Sequence, residues 1–190
     1  MFSGLPLLFR PCILVLLLLA TSCSLQPTDV QVASVEFNKA VVFDIDGTLT
    51  PNNISIFTAR NDAARVVSLY ADKGYKIIYL SARNRFFQFN IPDFLKENTF
   101  PNGSIHVPQS ASDRDDFSAF KQKILLRYRD KGWNLVAAYG DSTTDFEAYA
   151  AVGIGVDNIY AIKPIDEKTC RPGPWGKCLG AWSEQVDSIK

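Results

Sequence analysis

Four stretches of the chain turn predominantly apolar and then end in polar residues. Ala40-Val41-Val42-Phe43 runs into Asp44-Ile45-Asp46-Gly47-Thr48. Tyr75-Lys76-Ile77-Ile78-Tyr79-Leu80 runs into Ser81-Ala82-Arg83, and Leu135-Val136-Ala137-Ala138-Tyr139 into Gly140-Asp141-Ser142-Thr143-Thr144-Asp145. Ile159-Tyr160-Ala161-Ile162, with Gly153-Ile154-Gly155-Val156 before it, continues the series. Short continuous apolar runs are strands buried on both faces, the signature of a parallel sheet covered by helices. Between them the period changes. Thr58 to Asp72 carries apolar residues at helical spacing (Ala63, Ala64, Val66, Val67, Leu69, Tyr70), with Gly74 as its stop. Asp115-Asp116-Phe117 opens a second helix that runs to about Arg129, and Gly103 to Pro108 reads as a short strand. This alternation predicts a three-layer α/β/α sandwich with a mainly parallel central sheet. The aromatic cluster Phe86, Phe87, Phe89 and Phe94 reads as core.

The N-terminus breaks the pattern. Arg10 is the only charged residue before Asp29, and Ile13 to Ala20 is an apolar run too short to span a bilayer. Ala20-Thr21-Ser22 before Cys23 supplies the small residues of a cleavage site, so 1–23 reads as a signal peptide. It resembles a bacterial lipoprotein signal, with Cys23 the lipidated residue; ordinary signal cleavage and an uncleaved anchor are the alternatives. Residues 24–36 read as a linker, 37–166 as the folded domain and 167–190 as a C-terminal tail. Cys170 and Cys178, eight apart around a Pro- and Gly-rich loop, read as a disulfide formed in an oxidising compartment. Export to the cell envelope or periplasm, with a membrane anchor at Cys23, follows as the expected location.

Composition narrows the chemistry. The chain has 190 residues, 20 Lys+Arg and 20 Asp+Glu, which gives one domain-sized core and no nucleic-acid footprint. Charge gathers instead at the strand ends, where open α/β sheets bind ligands. Asp44 and Asp46 share one side of an extended chain. Two such carboxylates are costly to hold together without a cation, and a hard divalent ion such as Mg²⁺ suits their oxygens.

Phe43-Asp44-Ile45-Asp46-Gly47-Thr48 resembles the first motif of the haloacid dehalogenase-like (HAD) phosphohydrolases. Ser81, Lys121 (from Phe120-Lys121, preferred over Lys123) and Gly140-Asp141-x-x-x-Asp145 are similar to the second, third and fourth. The order of these motifs, with Leu80-Ser81-Ala82-Arg83 and Pro101-Asn102-Gly103, resembles the catalytic domain of lipin-type phosphatidate phosphatases, shared by some phosphatidylinositol transfer proteins. The resemblance implies a Mg²⁺-dependent phosphatase. Asp44 is then the nucleophile, Asp46 the acid and base, and Lys121 the charge that neutralises both carboxylate and phosphate. Thr48, Ser81, Ala82, Arg83 and Lys121 form the phosphate-binding set, a plain surface charge being the alternative for Arg83. Asp44, Asp46 (through its carbonyl), Asp141 and Asp145 form the metal set, with Asp145 either binding through water or holding the lysine. The substrate implied is a phosphate monoester, with a membrane lipid such as phosphatidate foremost. Soluble esters, or phosphatidate binding without turnover, are the alternatives. The spacing from Arg83 to Lys121 leaves little room for an inserted cap, so an open, capless site on a monomer is expected. The single histidine, His106, reads as structural.

Overall fold

The computed structural model describes Leu25 and residues 28–189. Six parallel strands form one sheet in the order β3-β2-β1-β4-β5-β6. They are β1 (Lys39–Phe43), β2 (Lys76–Leu80), β3 (Ser104–His106), β4 (Asn134–Gly140), β5 (Ile159–Ile162) and β6 (Lys177–Leu179). The helices are α1 (Ala63–Asp72), α2 (Ile91–Glu97), α3 (Ala111–Asp115), α4 (Phe117–Asp130), α5 (Thr143–Ala151) and α6 (Ser183–Val186). Among the described residues none is long and apolar enough to cross a membrane.

Alternation along the strands splits the interior into two layers. Val41, Phe43, Ile77 and Tyr79 join Val66 and Val67 of α1, Phe94 of α2 and Trp182. Ala40, Val42, Ile78 and Leu80 join Phe120, Ile124 and Tyr128 of α4 and Phe146 and Tyr149 of α5. The α/β/α expectation holds, and no inserted domain covers the strand ends among the described residues. Strand order reverses between β1 and β4, and that is the switch point at which such sheets bind ligands.

Several local expectations change. The first helix begins at Ala63 rather than Thr58, because Asp62 takes a left-handed φ of 61° and Arg60 ties the preceding loop back. Its backbone N–H donates to Leu49 O at 2.8 Å, and its guanidinium reaches Gly47 O at 2.7 Å and Lys163 O at 3.1 Å. Gly153 to Val156 is not a strand. Phe94 is core, but Phe86, Phe87 and Phe89 are exposed.

Neither flank of the domain hangs free. Within 24–36, Val30 is buried in the core and Thr28 Oγ1 donates to Ile105 O at 2.9 Å. Beyond 166, the chain is no tail: it supplies β6, α6 and Trp182. The Trp182 indole is buried, 5.1 Å from the Tyr139 ring, and its Nε1 donates to Thr48 O at 3.1 Å. The Cys170–Cys178 disulfide is present, with Cα atoms 5.8 Å apart. The expected signal peptide (1–23) and the expected lipidation at Cys23 fall outside the described residues.

Candidate active site

The carboxyl ends of β1 and β4 open into a cleft of about 550 Å³. Asp44 directly follows β1, where its N–H donates to Tyr139 O at 2.9 Å, extending the β1–β4 ladder. Gly47 then turns the chain with φ 87°; a Cβ there would lie 2.4 Å from Asp141 Oδ2. Only glycine combines that conformation with so close an approach.

Asp44, Asp141 and Asp145 bring carboxylate oxygens within 4.8 Å of one another, all three residues buried. Lys121, on the inner face of α4, enters this cluster. Its Nζ donates to Asp44 Oδ1 at 2.7 Å and to Asp145 Oδ1. The other lysine, Lys123, pairs with Asp113 away from the cleft. Burial opposes the charge on Lys121, but Asp145 and Asp44 outweigh it and hold the ammonium above its ordinary value. Burial pushes the Asp44 carboxyl well above the usual range; Lys121 opposes this, and Asp145, Asp141 and Asp46 add to it. Burial, with the charge of Asp145, likewise pushes Asp141 up to about 6.

The three acids are not equivalent. Asp145 Oδ2 accepts from Asp141 N, Ser142 N and Ser142 Oγ at 3.2, 3.1 and 2.7 Å, while its Oδ1 meets Lys121. This is the capping box of α5, so Asp145 orients the lysine and starts the helix. Asp44 Oδ2, by contrast, is buried without a hydrogen-bond partner. A cluster short of positive charge, with an unpartnered oxygen, fits a hard divalent cation held by Asp44 and Asp141.

Asp46 turns its carboxylate away from the cluster. Ser81 Oγ donates to its Oδ2 at 2.8 Å, and Arg83 grips both oxygens, with Nη2 2.7 Å from Oδ1 and Nε 3.2 Å from Oδ2. Any share Asp46 has in a metal therefore falls to its backbone carbonyl. Of the expected phosphate-binding set, Ala82, Arg83 and Lys121 line the cleft. Thr48 and Ser81 are fully buried and serve carboxylates instead, Thr48 Oγ1 donating to Asp141 Oδ1 at 3.4 Å. His106 stands apart: its Nε2 and the Tyr128 hydroxyl share a 2.7 Å hydrogen bond inside the fold.

Two arginines escape the sequence pattern. Arg60 clamps the loop after β1, as described above. Arg171, from the disulfide loop, lines the cleft with Nη1 3.4 Å from Asp141 Oδ2. The only trace of it in sequence is a basic residue directly after Cys170.

A Rossmann-like sheet with paired aspartates after β1, a lysine from α4 and Gly-Asp at the end of β4 defines the HAD phosphatase scaffold. Solved structures of a HAD phosphatase from Thermococcus onnurineus and of D,D-heptose 1,7-bisphosphate phosphatase from Burkholderia thailandensis share the fold. Each superposes with TM-score 0.55 at 14% identity, over 80% of this chain and 97% of the other. Within that class the chain belongs to the LNS2 family: residues 41–163 match the model described as PITM 1-3, LNS2 domain. Membrane-associated phosphatidylinositol transfer protein 1 of Rattus norvegicus is 30% identical over 131 residues, 65% of this chain. The chain spans about 10% of that relative's length.

Proposed function

We propose that this chain is a Mg²⁺-dependent phosphomonoesterase that works through an aspartyl-phosphate on Asp44, with a membrane-borne phosphate ester such as phosphatidate as substrate. The Asp44 carboxylate carries the reading: buried at the foot of an open cleft, fixed at one oxygen by Lys121 and unpartnered at the other. One Asp44 carboxylate oxygen attacks phosphorus while the other stays with the cation, the ester P–O bond breaks, and Asp46 gives a proton to the departing oxygen. Asp46 then takes a proton from water, which attacks the phosphoryl group, releases phosphate and restores Asp44. Lys121 holds positive charge beside the Asp44 carboxylate throughout. Mg²⁺, when held by Asp44 and Asp141, neutralises charge on the carboxylates and phosphoryl oxygens. The openness of the cleft and the phosphatidylinositol transfer proteins among the relatives support a lipid substrate. The disulfide supports an exported protein, anchored through Cys23.

A second reading is phosphatidate binding without turnover. Its support is the Arg83 grip on Asp46, which the carboxylate has to leave before it can pass a proton. The test is phosphate release by the full chain in mixed micelles of phosphatidate, beside a soluble aryl phosphate, with Asp44→Asn and EDTA as controls. Turnover of phosphatidate that both controls abolish is the expected result. Turnover of the aryl ester alone keeps the chemistry and removes the lipid substrate. Phosphatidate binding with no turnover selects the second reading.

A further inference from the structure

The cleft is lined by the carboxylates of Asp44, Asp46, Asp141, Asp145, Asp166 and Glu167 against the cations Arg83, Lys121 and Arg171. A phosphate monoester entering this acidic cleft needs a cation not already committed. Lys121 is buried between Asp44 and Asp145, and Arg83 is buried with Nε and Nη2 on Asp46, its Nη1 buried without a partner. Arg171 differs. Its side chain is 42% exposed, and it meets Asp141 at 3.4 Å and the equally exposed Glu167 at 3.1 Å. The Asp141 contact is longer than the roughly 2.7–2.9 Å of a strong charge-assisted bond. The Glu167 pair, exposed on both sides, is screened by water and holds the side chain weakly, while Asp141 is only 10% exposed. Among the described cations that line the cleft, Arg171 is the one with an exposed side chain, able to swing to an anion in the opening.

Its backbone, by contrast, is fixed. Cys170 is buried and bonded to Cys178 of β6, which pairs with Ala161 of β5. Trp175 Nε1 donates to Arg171 O at 2.8 Å, and Thr143 Oγ1 donates to Pro172 O at 2.8 Å. Gly173 lies so close to α5 that a Cβ would come within 2.6 Å of Phe146. The loop is thereby fastened to the first turn of α5, which begins two residues after Asp141. Arg171 lies beyond the residues, 41–163, that match the LNS2 model.

We infer that Arg171 is a phosphate-binding residue of this site, held in place by the Cys170–Cys178 loop. The ligand class is a phosphoryl group, in an ester or as free phosphate, which the planar guanidinium fork matches with paired donors. The inference rests on the reading of the cleft as a phosphate-ester site.

The test is calorimetric titration of inorganic phosphate into the full chain with Mg²⁺ present, for wild type, Arg171→Gln and Arg171→Lys. Steady-state kinetics on phosphatidate micelles and on aryl phosphate form the second arm. Arg171→Gln is expected to weaken phosphate about tenfold or more, the scale of a lost charged hydrogen bond. It should raise KM by a similar factor on both esters with kcat within about threefold, and Arg171→Lys should recover part of the loss. The Cys170→Ser/Cys178→Ser double variant should shift phosphate affinity the same way, and adding Arg171→Gln to it should cost little more. Equal phosphate affinity in wild type and Arg171→Gln overturns the inference whatever the turnover, as does a wild type that binds no phosphate. A loss confined to phosphatidate, with inorganic phosphate unchanged, also overturns it. A wild type that binds phosphate through Arg171 but turns over no ester removes the proposed activity and leaves the inference standing.

Discussion

At the scale of single residues, burial decides which groups work as charges and which stay neutral. His106, 2% exposed, is pushed down to about 4 by burial, with Arg127 and Lys76 acting in the same direction and the Tyr128 hydroxyl as its partner. The unfolded chain binds a proton at His106 below about pH 6.5, while the folded chain refuses it down to about 4. Stability is therefore lost as pH falls through that window. Urea unfolding at pH 7 and pH 4.5 should show wild type losing up to about 3 kcal/mol more than His106→Gln; equal losses would show that His106 does not stay neutral. The carboxylates and Lys121 were legible in sequence, because each stands at a strand end or on a helix face at a motif's spacing. The direction of the Ser81 and Thr48 hydroxyls was not. Alternation places a side chain on a face but does not say whether it meets a ligand or a neighbouring carboxylate. Arg171 was illegible for another reason: its position depends on a strand pairing that local spacing does not reveal.

At the scale of elements, two helices begin with the same device. Ser142 and Asp145 form a capping box on α5, and Ser110 and Asp113 form one on α3. The first box sits inside the acid cluster and the second carries only Lys123 at the surface. Ser142→Ala and Ser110→Ala should each cost about 1 kcal/mol in thermal unfolding. They should part when Mg²⁺ is added. Ser142→Ala, which frees Asp145 to turn, should lose part of the stabilisation by Mg²⁺ that Ser110→Ala keeps. A Ser142→Ala protein with undiminished Mg²⁺ stabilisation would separate the cap from the site. The strands that flank the cleft (β1, β2, β4 and β5) were legible as apolar runs. The start of α1 was not, because the Arg60 contacts that hold its preceding loop are made to distant backbone.

At the scale of the molecule, the C-terminal segment closes a fold whose motifs all precede it. Trp182 covers Phe43 and Tyr139, with ring centroids 6.2 and 5.1 Å away, and Gln185 donates to the Tyr139 hydroxyl at 2.9 Å. Trp182→Ala should destabilise by about 3–5 kcal/mol, as for other large buried aromatics, measured by urea unfolding; a loss under about 1 kcal/mol would show that the segment only rests on the core. This part of the fold was hidden in sequence because β6 has three residues and follows a Pro- and Gly-rich loop, too short for any periodicity to show. The placement of Trp182 also bears on biosynthesis. A chain emerging residue by residue presents every motif long before it can roof the Phe43–Tyr139 stack. A product that stops short of Trp182 leaves this stack uncovered and open to proteases.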